Sequence, residues 1–149
     1  MFDFIKGRGF YVNEKENFIV WVNEEDHLSL ISQSDNGKIS ETYERLTRAA
    51  DEVNQLCEFQ QHQRLGYLNL SLLNIGTALE ITVRVRLAHP ERLNQLIELS
   101  KQFDIDLKLT HDQYIINFSN LIRLGRTEFH TIRSMWNGIE QLIREDMRE

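Results

Sequence analysis

The chain has 149 residues, 41% of them apolar and 27% charged, with one cysteine, one proline and a formal net charge of −6. That length suits a single domain of ordinary globular composition. An acidic chain without a basic stripe binds nucleic acid and anionic lipid surfaces poorly, no apolar run approaches the ~20 residues of a membrane span, and a lone cysteine forms no internal disulfide, which favours a reducing, cytoplasmic setting.

Residues Met1 to Lys6 lack the basic and then apolar order of a signal peptide. Phe10–Val12 and Phe18–Val22 are expected to form a hairpin across the polar segment Asn13–Asn17. Leu28–Ser32 makes a third strand after the acidic turn Glu24-Glu25-Asp26-His27, and Ser34-Asp35-Asn36-Gly37 is a loop. Apolar spacing at Ile39, Tyr43, Leu46, Ala50, Val53 and Cys57 predicts a helix from about Ile39 to Gln63. Gly66–Leu73 is strand-like, and Asn74-Ile75-Gly76-Thr77 is a turn. Ile81–Leu87 alternates apolar and polar residues, as a half-buried strand does. Pro90 opens a helix that reaches about Phe103. Ile105–Leu109 and Tyr114–Phe118 pair as antiparallel strands. A last helix, Thr127 to about Met147, carries Phe129, Ile132, Trp136, Ile139 and Ile143 on one stripe. The expected class is α+β: a mostly antiparallel sheet with helices packed on one face.

The segment Val22-Asn23-Glu24-Glu25-Asp26-His27-Leu28 resembles the catalytic strand–turn of the phosphagen (guanidino) kinases, the creatine and arginine kinases. Further stretches resemble the same family in the same order. They are Gly7–Asn13, Leu65-Gly66-Tyr67, Asn74–Thr77, Ile81–Leu87, Ser119-Asn120-Leu121-Ile122-Arg123-Leu124-Gly125, and the last helix. The resemblance covers nearly the whole chain and only the C-terminal part of the family's catalytic domain. It implies half of a glutamine synthetase-like fold, with residues 1–149 as one truncated domain.

Phosphoryl transfer from ATP to a guanidino nitrogen works by positioning and by cationic stabilisation of phosphate oxygens. The family uses a cage of arginines, whose planar fork suits phosphate, with a carboxylate as base. The resemblance assigns that base to Glu25. It also exposes departures. Ser29 stands where an arginine is expected, Glu80 replaces another, and Ser71 replaces the family's reactive cysteine. Leu72 and Leu73 replace the residues that shape the cysteine's turn. The stretch Phe103–Asp112 holds no Arg-Gly-Thr, and its only lysine or arginine, Lys108, reads as ordinary strand. A further Ser-Arg-x-Arg segment of the family has no counterpart in this chain. At an effective dielectric of ~20, one charge ~4 Å from a phosphate oxygen is worth on the order of 4 kcal/mol. Reversing its sign at position 80 is expected to weaken nucleotide binding by orders of magnitude.

Each motif also has a plainer reading. Glu24–His27 reads as a solvated acidic turn rather than a metal site, since adjacent side chains on a turn seldom converge on one ion. Asn74–Thr77 reads as a structural turn rather than a phosphate cradle. Arg84 and Arg86 share a strand face turned to solvent or to another subunit. His111 and His130 are expected at the surface, and Cys57, Trp21 and Trp136 in apolar cores.

Loss of the arginine cage with retention of fold-determining residues points to a catalytically inactive, pseudoenzyme-like domain with no bound cofactor or metal. Its expected role is structural, in contact with protein partners or with a second copy that covers the open sheet edge. A cytoskeletal or axonemal assembly would suit such a subunit. The competing expectation is an ATP:guanidino phosphotransferase, as one half of a split enzyme with Glu25 as base and Mg-ATP as cosubstrate.

Overall fold

Asn13 closes the first hairpin: its Oδ1 accepts from the N–H groups of Asn17 and Phe18, each at 3.0 Å. Strands β1 (Gly9–Val12) and β2 (Phe18–Val22) flank this turn, and β3 (Leu28–Ser32) pairs antiparallel with β2. All three lie where the expected hairpin and the strand after the acidic turn place them. The computed structural model describes residues 7–148; the leader reading of the first six residues lies outside them. The chain divides into two compact units, one ending at Gln61 but including Asn69–Leu72, the other holding His62–Leu68 and Leu73 onward.

In the first unit, register puts Phe10 opposite Trp21 and Ile19 opposite Ile31, so Phe10, Val12, Ile19, Trp21 and Ile31 share one sheet face. Ser32 stands on the other face, where helix α1 (Ile39–Leu56) docks through Arg45, whose Nε donates to Ser32 Oγ at 2.9 Å. Helix α1 stops short of the expected Gln63. The Asn54 side chain accepts from Phe59 N at 2.9 Å, a local bond that competes with continuing the helix. Cys57 thus sits just past the helix and is exposed, not in a core. Trp21, also expected in a core, is 41% exposed and stacks on Phe10 with ring centroids 5.6 Å apart.

The segment Gly66–Leu73 differs from the strand expected of it. Only two-residue strands form, β4 (Gln61–His62) and β5 (Gly66–Tyr67), followed by a 3-10 turn at Leu72–Asn74. Within the first unit, Ser71 N donates to Asp26 Oδ1 at 3.0 Å, so its N–H is tied to a side chain rather than to a ladder. Leu70, Leu72 and Leu73 are exposed.

The second unit is built on an antiparallel sheet in the order β6 (Thr82–Arg86), β8 (Ile115–Asn120), β7 (Ile105–Leu109). Val83, Phe118 and Leu107 form one inward row, and Val85 and Ile116 continue it, while Leu109 at the end of β7 is 63% exposed. Helices α2 (Leu93–Lys101) and α3 (Glu128–Asp146) pack on that face, with Leu96, Met135, Ile139 and Leu142 in the core. This is the α+β arrangement expected, with helices on one sheet face.

Thr127 caps α3, accepting from His130 N at 3.2 Å. The buried stripe of α3 is Thr131, Met135, Gly138, Ile139, Leu142 and Asp146, not the expected one. Ile139 belongs to both, while Phe129 is 73% and Trp136 55% exposed. Two contacts rotate the helix. Gly138 passes so close to Phe103 that a Cβ there would stand 3.0 Å from the Phe103 Cβ. Asp146 turns inward to accept from Ala88 N and His89 N, at 2.7 and 3.0 Å. Those bonds satisfy donors at the start of the Pro90–Arg92 turn that leads into α2. Among the described residues, no helix is long and apolar enough to cross a membrane.

Candidate functional site

The acidic turn between β2 and β3 is held by its own ends. Asn23 adopts a positive φ of 55°, a conformation asparagine tolerates, and its N–H donates to His27 O at 2.9 Å. Its side chain reaches Gly7 O at 3.2 Å, and its Oδ1 lies 3.4 Å from His27 Nδ1. The carboxylates then divide the work. Glu24 accepts from the backbone N–H of Glu25 at 2.7 Å. Asp26 is buried and anchors Ser71. Glu25 is exposed, and its carboxylate has no hydrogen-bond partner among the described residues. The charge left open to solvent is thus the one that the resemblance assigns as base. Ser29 sits mid-strand opposite Trp21. Ser71, Asp26, Glu25 and Ser29 all belong to the first unit. Among the described residues, no three His, Cys, Asp or Glu side chains are grouped to hold a metal ion.

Glu80 belongs to the second unit, in a polar hub built by two of the sequence motifs. Gly76, at φ 113°, sits so close to the Arg123–Leu124 backbone that only glycine fits. Its N–H and C=O both bond Tyr67, at 3.4 and 2.9 Å, and Thr77 N donates to Arg123 O at 3.1 Å. The Asn74–Thr77 turn therefore uses the N–H groups of Gly76 and Thr77 internally, as a structural turn does. Asn120 clamps the next residues, accepting from Ile81 N at 2.7 Å and donating to Leu79 O at 3.1 Å.

At the centre lies Arg123, with its side chain 9% exposed. Nη1 donates to Leu73 O at 2.9 Å and to Asn74 Oδ1. Nη2 donates to Glu80 Oε2 at 2.7 Å. The Glu80 side chain is 47% exposed, so it lies between the guanidinium and solvent. Its Oε1 also accepts from Thr82 Oγ1 at 3.4 Å, and Thr82 Oγ1 lies 2.9 Å from Ser119 Oγ. Nothing in the sequence alone marked Arg123 as a hub. The usable signal was its place, three residues after Asn120 in a motif that also supplies the clamp.

On the outward face of the same sheet, register aligns Arg84, Asn117 and Lys108, and Arg84 Nε donates to Asn117 Oδ1 at 3.1 Å. Arg86 lies over the Tyr114 ring, 5.9 Å from its centroid. His111 and His130 are exposed, as expected.

The family described as ATP:guanido phosphotransferase, C-terminal catalytic domain, matches residues 1–148. Arginine kinase from Penaeus japonicus is 35% identical over 145 residues, covering 93% of this chain and 41% of the relative. Arginine kinase from Homarus gammarus is 34% identical over 148 residues, with the same coverage, 93% and 41%. The chain thus spans about two fifths of the length of these relatives. Among solved structures, the duplicated taurocyamine kinase of Schistosoma mansoni with bound transition-state analogue components superposes at a TM-score of 0.86. Its identity is 32%, and the match covers 95% of this chain and 20% of that one. Lombricine kinase superposes at 0.87 with 26% identity, covering 97% of this chain and 43% of that one. The chain belongs to the ATP:guanido phosphotransferase family and corresponds to part of its C-terminal catalytic domain.

Proposed function

We propose that this chain is a catalytically inactive phosphagen kinase-like domain that serves as a structural or protein-interaction subunit of a larger assembly. One observation carries the inactive part. At position 80, where the family resemblance calls for a phosphate-binding arginine, a glutamate stands and is held on Arg123. Ser29 and the Phe103–Asp112 stretch remove two more cations from the expected cage. Without those cations, the charge developing on a transferred phosphoryl group has little to stabilise it.

The interaction part draws support from the first unit. Phe10, Val12, Trp21 and Ile31 share a sheet face and are each at least 39% exposed. Every residue of edge strand β1 is exposed as well. Exposed apolar faces and strand edges are where proteins meet partners. A cytoplasmic setting, such as a cytoskeletal or axonemal assembly, belongs to the same proposal. Isothermal titration with Mg-ATP tests the inactive reading. No heat is expected, and micromolar binding overturns it. Sedimentation across a dilution series, with pull-downs alongside, tests the partner. A dilution-resistant monomer that retains nothing counts against an interaction role.

The alternative is an ATP:guanidino phosphotransferase, as half of a split enzyme. Its supporting observation is the exposed Glu25 carboxylate, free to act as base on the intact turn. A coupled phosphotransfer assay with arginine and Mg-ATP decides it. Turnover that Glu25→Gln abolishes would establish this reading in place of the first.

A further inference from the structure

We propose that Glu80 is a tethered anion that fills the guanidinium fork of Arg123 and so closes to free phosphate a cationic site that the fold still carries. This deepens the inactive reading above and rests on it. A guanidinium nine-tenths buried needs a counter-charge, because desolvating an unpaired ion is costly. Two of the partners of Arg123, Leu73 O and Asn74 Oδ1, are neutral. Among its described partners, Glu80 is the one anion.

The pair is asymmetric. Arg123 is pinned from within by two acceptors, whereas Glu80 approaches from the solvent side with its side chain 47% exposed. Removing the carboxylate would open the guanidinium outward without removing what positions it. An oxyanion in the place of Glu80 would meet Nη2 of Arg123 and the hydroxyl of Thr82, itself 2.9 Å from the Ser119 hydroxyl. A planar cationic donor beside hydroxyls is a chemistry suited to phosphate. Arg123 Nε is buried and has no partner among the described residues. The fork therefore keeps one donor unpaired even with Glu80 in place.

The test is isothermal titration of inorganic phosphate into the wild-type chain, Glu80→Ala and Glu80→Gln, with thermal melts of all three. Glu80→Ala is expected to bind phosphate at least roughly tenfold more tightly than wild type. Glu80→Gln, which keeps an oxygen on Nη2 but no charge, should gain less. Three outcomes overturn the proposal. The first is a folded Glu80→Ala that gives no phosphate heat. The second is a wild type that binds phosphate as tightly as the variant. The third is loss of the fold in both variants, which would make the pair a structural strut rather than a mask. Failure of the inactive reading registers elsewhere, as Mg-ATP binding by the wild-type chain, so the two are told apart.

Discussion

The two units bury their side chains very differently. In the second, Phe118, Leu96, Ile105, Ile116 and Leu142 are essentially inaccessible, between a sheet and two helices. In the first, the single buried residue among those described is a carboxylate, Asp26. Helix α1 of that unit buries none of its residues, although its apolar spacing is regular. Amphipathic patterning announces a face that wants covering, and does not guarantee that the same chain covers it. The first unit should therefore open at lower free energy than the second.

The largest expected effect follows from that contrast. Phe118→Ala should cost about 4 kcal/mol in chemical denaturation. Phe10→Ser, at a site 69% exposed, should cost no more than about 1 kcal/mol despite losing its stack on Trp21. Equal costs would abolish the distinction between the units. The buried carboxylates sharpen it at the next level. Asp146→Ala strands two backbone donors, Ala88 N and His89 N, and should cost about 3 kcal/mol. Asp26→Ala strands the N–H of Ser71 and should cost about 1.5 kcal/mol. Its effect should show as faster amide exchange at Ser71, with the α3 amides unchanged.

The smallest effect concerns pH. The Glu91 carboxyl titrates below its ordinary value, chiefly through a bond from its own backbone N–H, with His89 adding to it. A depressed carboxyl stabilises the fold above the unfolded-state value, and the contribution is lost as pH falls through the folded one. Glu91→Gln should therefore lower the melting temperature slightly at neutral pH, converge with wild type in acid, and so flatten the acid side of the stability profile. A steeper acid limb in the variant would contradict this.

The alternating strand was legible in the sequence because period-two alternation is a backbone property, whereas the apolar run Gly66–Leu73, without alternation, was not a strand beyond Tyr67. Ile81–Leu87 needed no partner to be recognised, and the Asn13 turn is local chemistry. The family was legible because Asn23–Leu28, Asn74–Thr77 and Ser119–Gly125 are short and ordered. What escaped depends on tertiary choice. Three adjacent carboxylates look alike in one dimension, yet Asp26 turns inward while Glu25 stays outside. On α3, the two possible stripes differ by about one residue's rotation. Gly138 and Asp146 select the true one through contacts with Phe103, Ala88 and His89. In the sequence Glu80 reads as a charge hostile to phosphate. Its neutralisation by Arg123 depends on a residue far along the chain that spacing rules do not reach.

The placement of Cys57 bears directly on any test of self-association. The chain's one thiol lies exposed beyond the end of α1, open to disulfide formation with a second molecule when dissolved oxygen takes up the two electrons. A dimer that persists in sodium dodecyl sulfate and collapses with dithiothreitol would be a covalent product of storage, not pairing through β1. The same accident is useful. A maleimide fluorophore would attach at one defined point in the first unit, and its anisotropy would report partner capture.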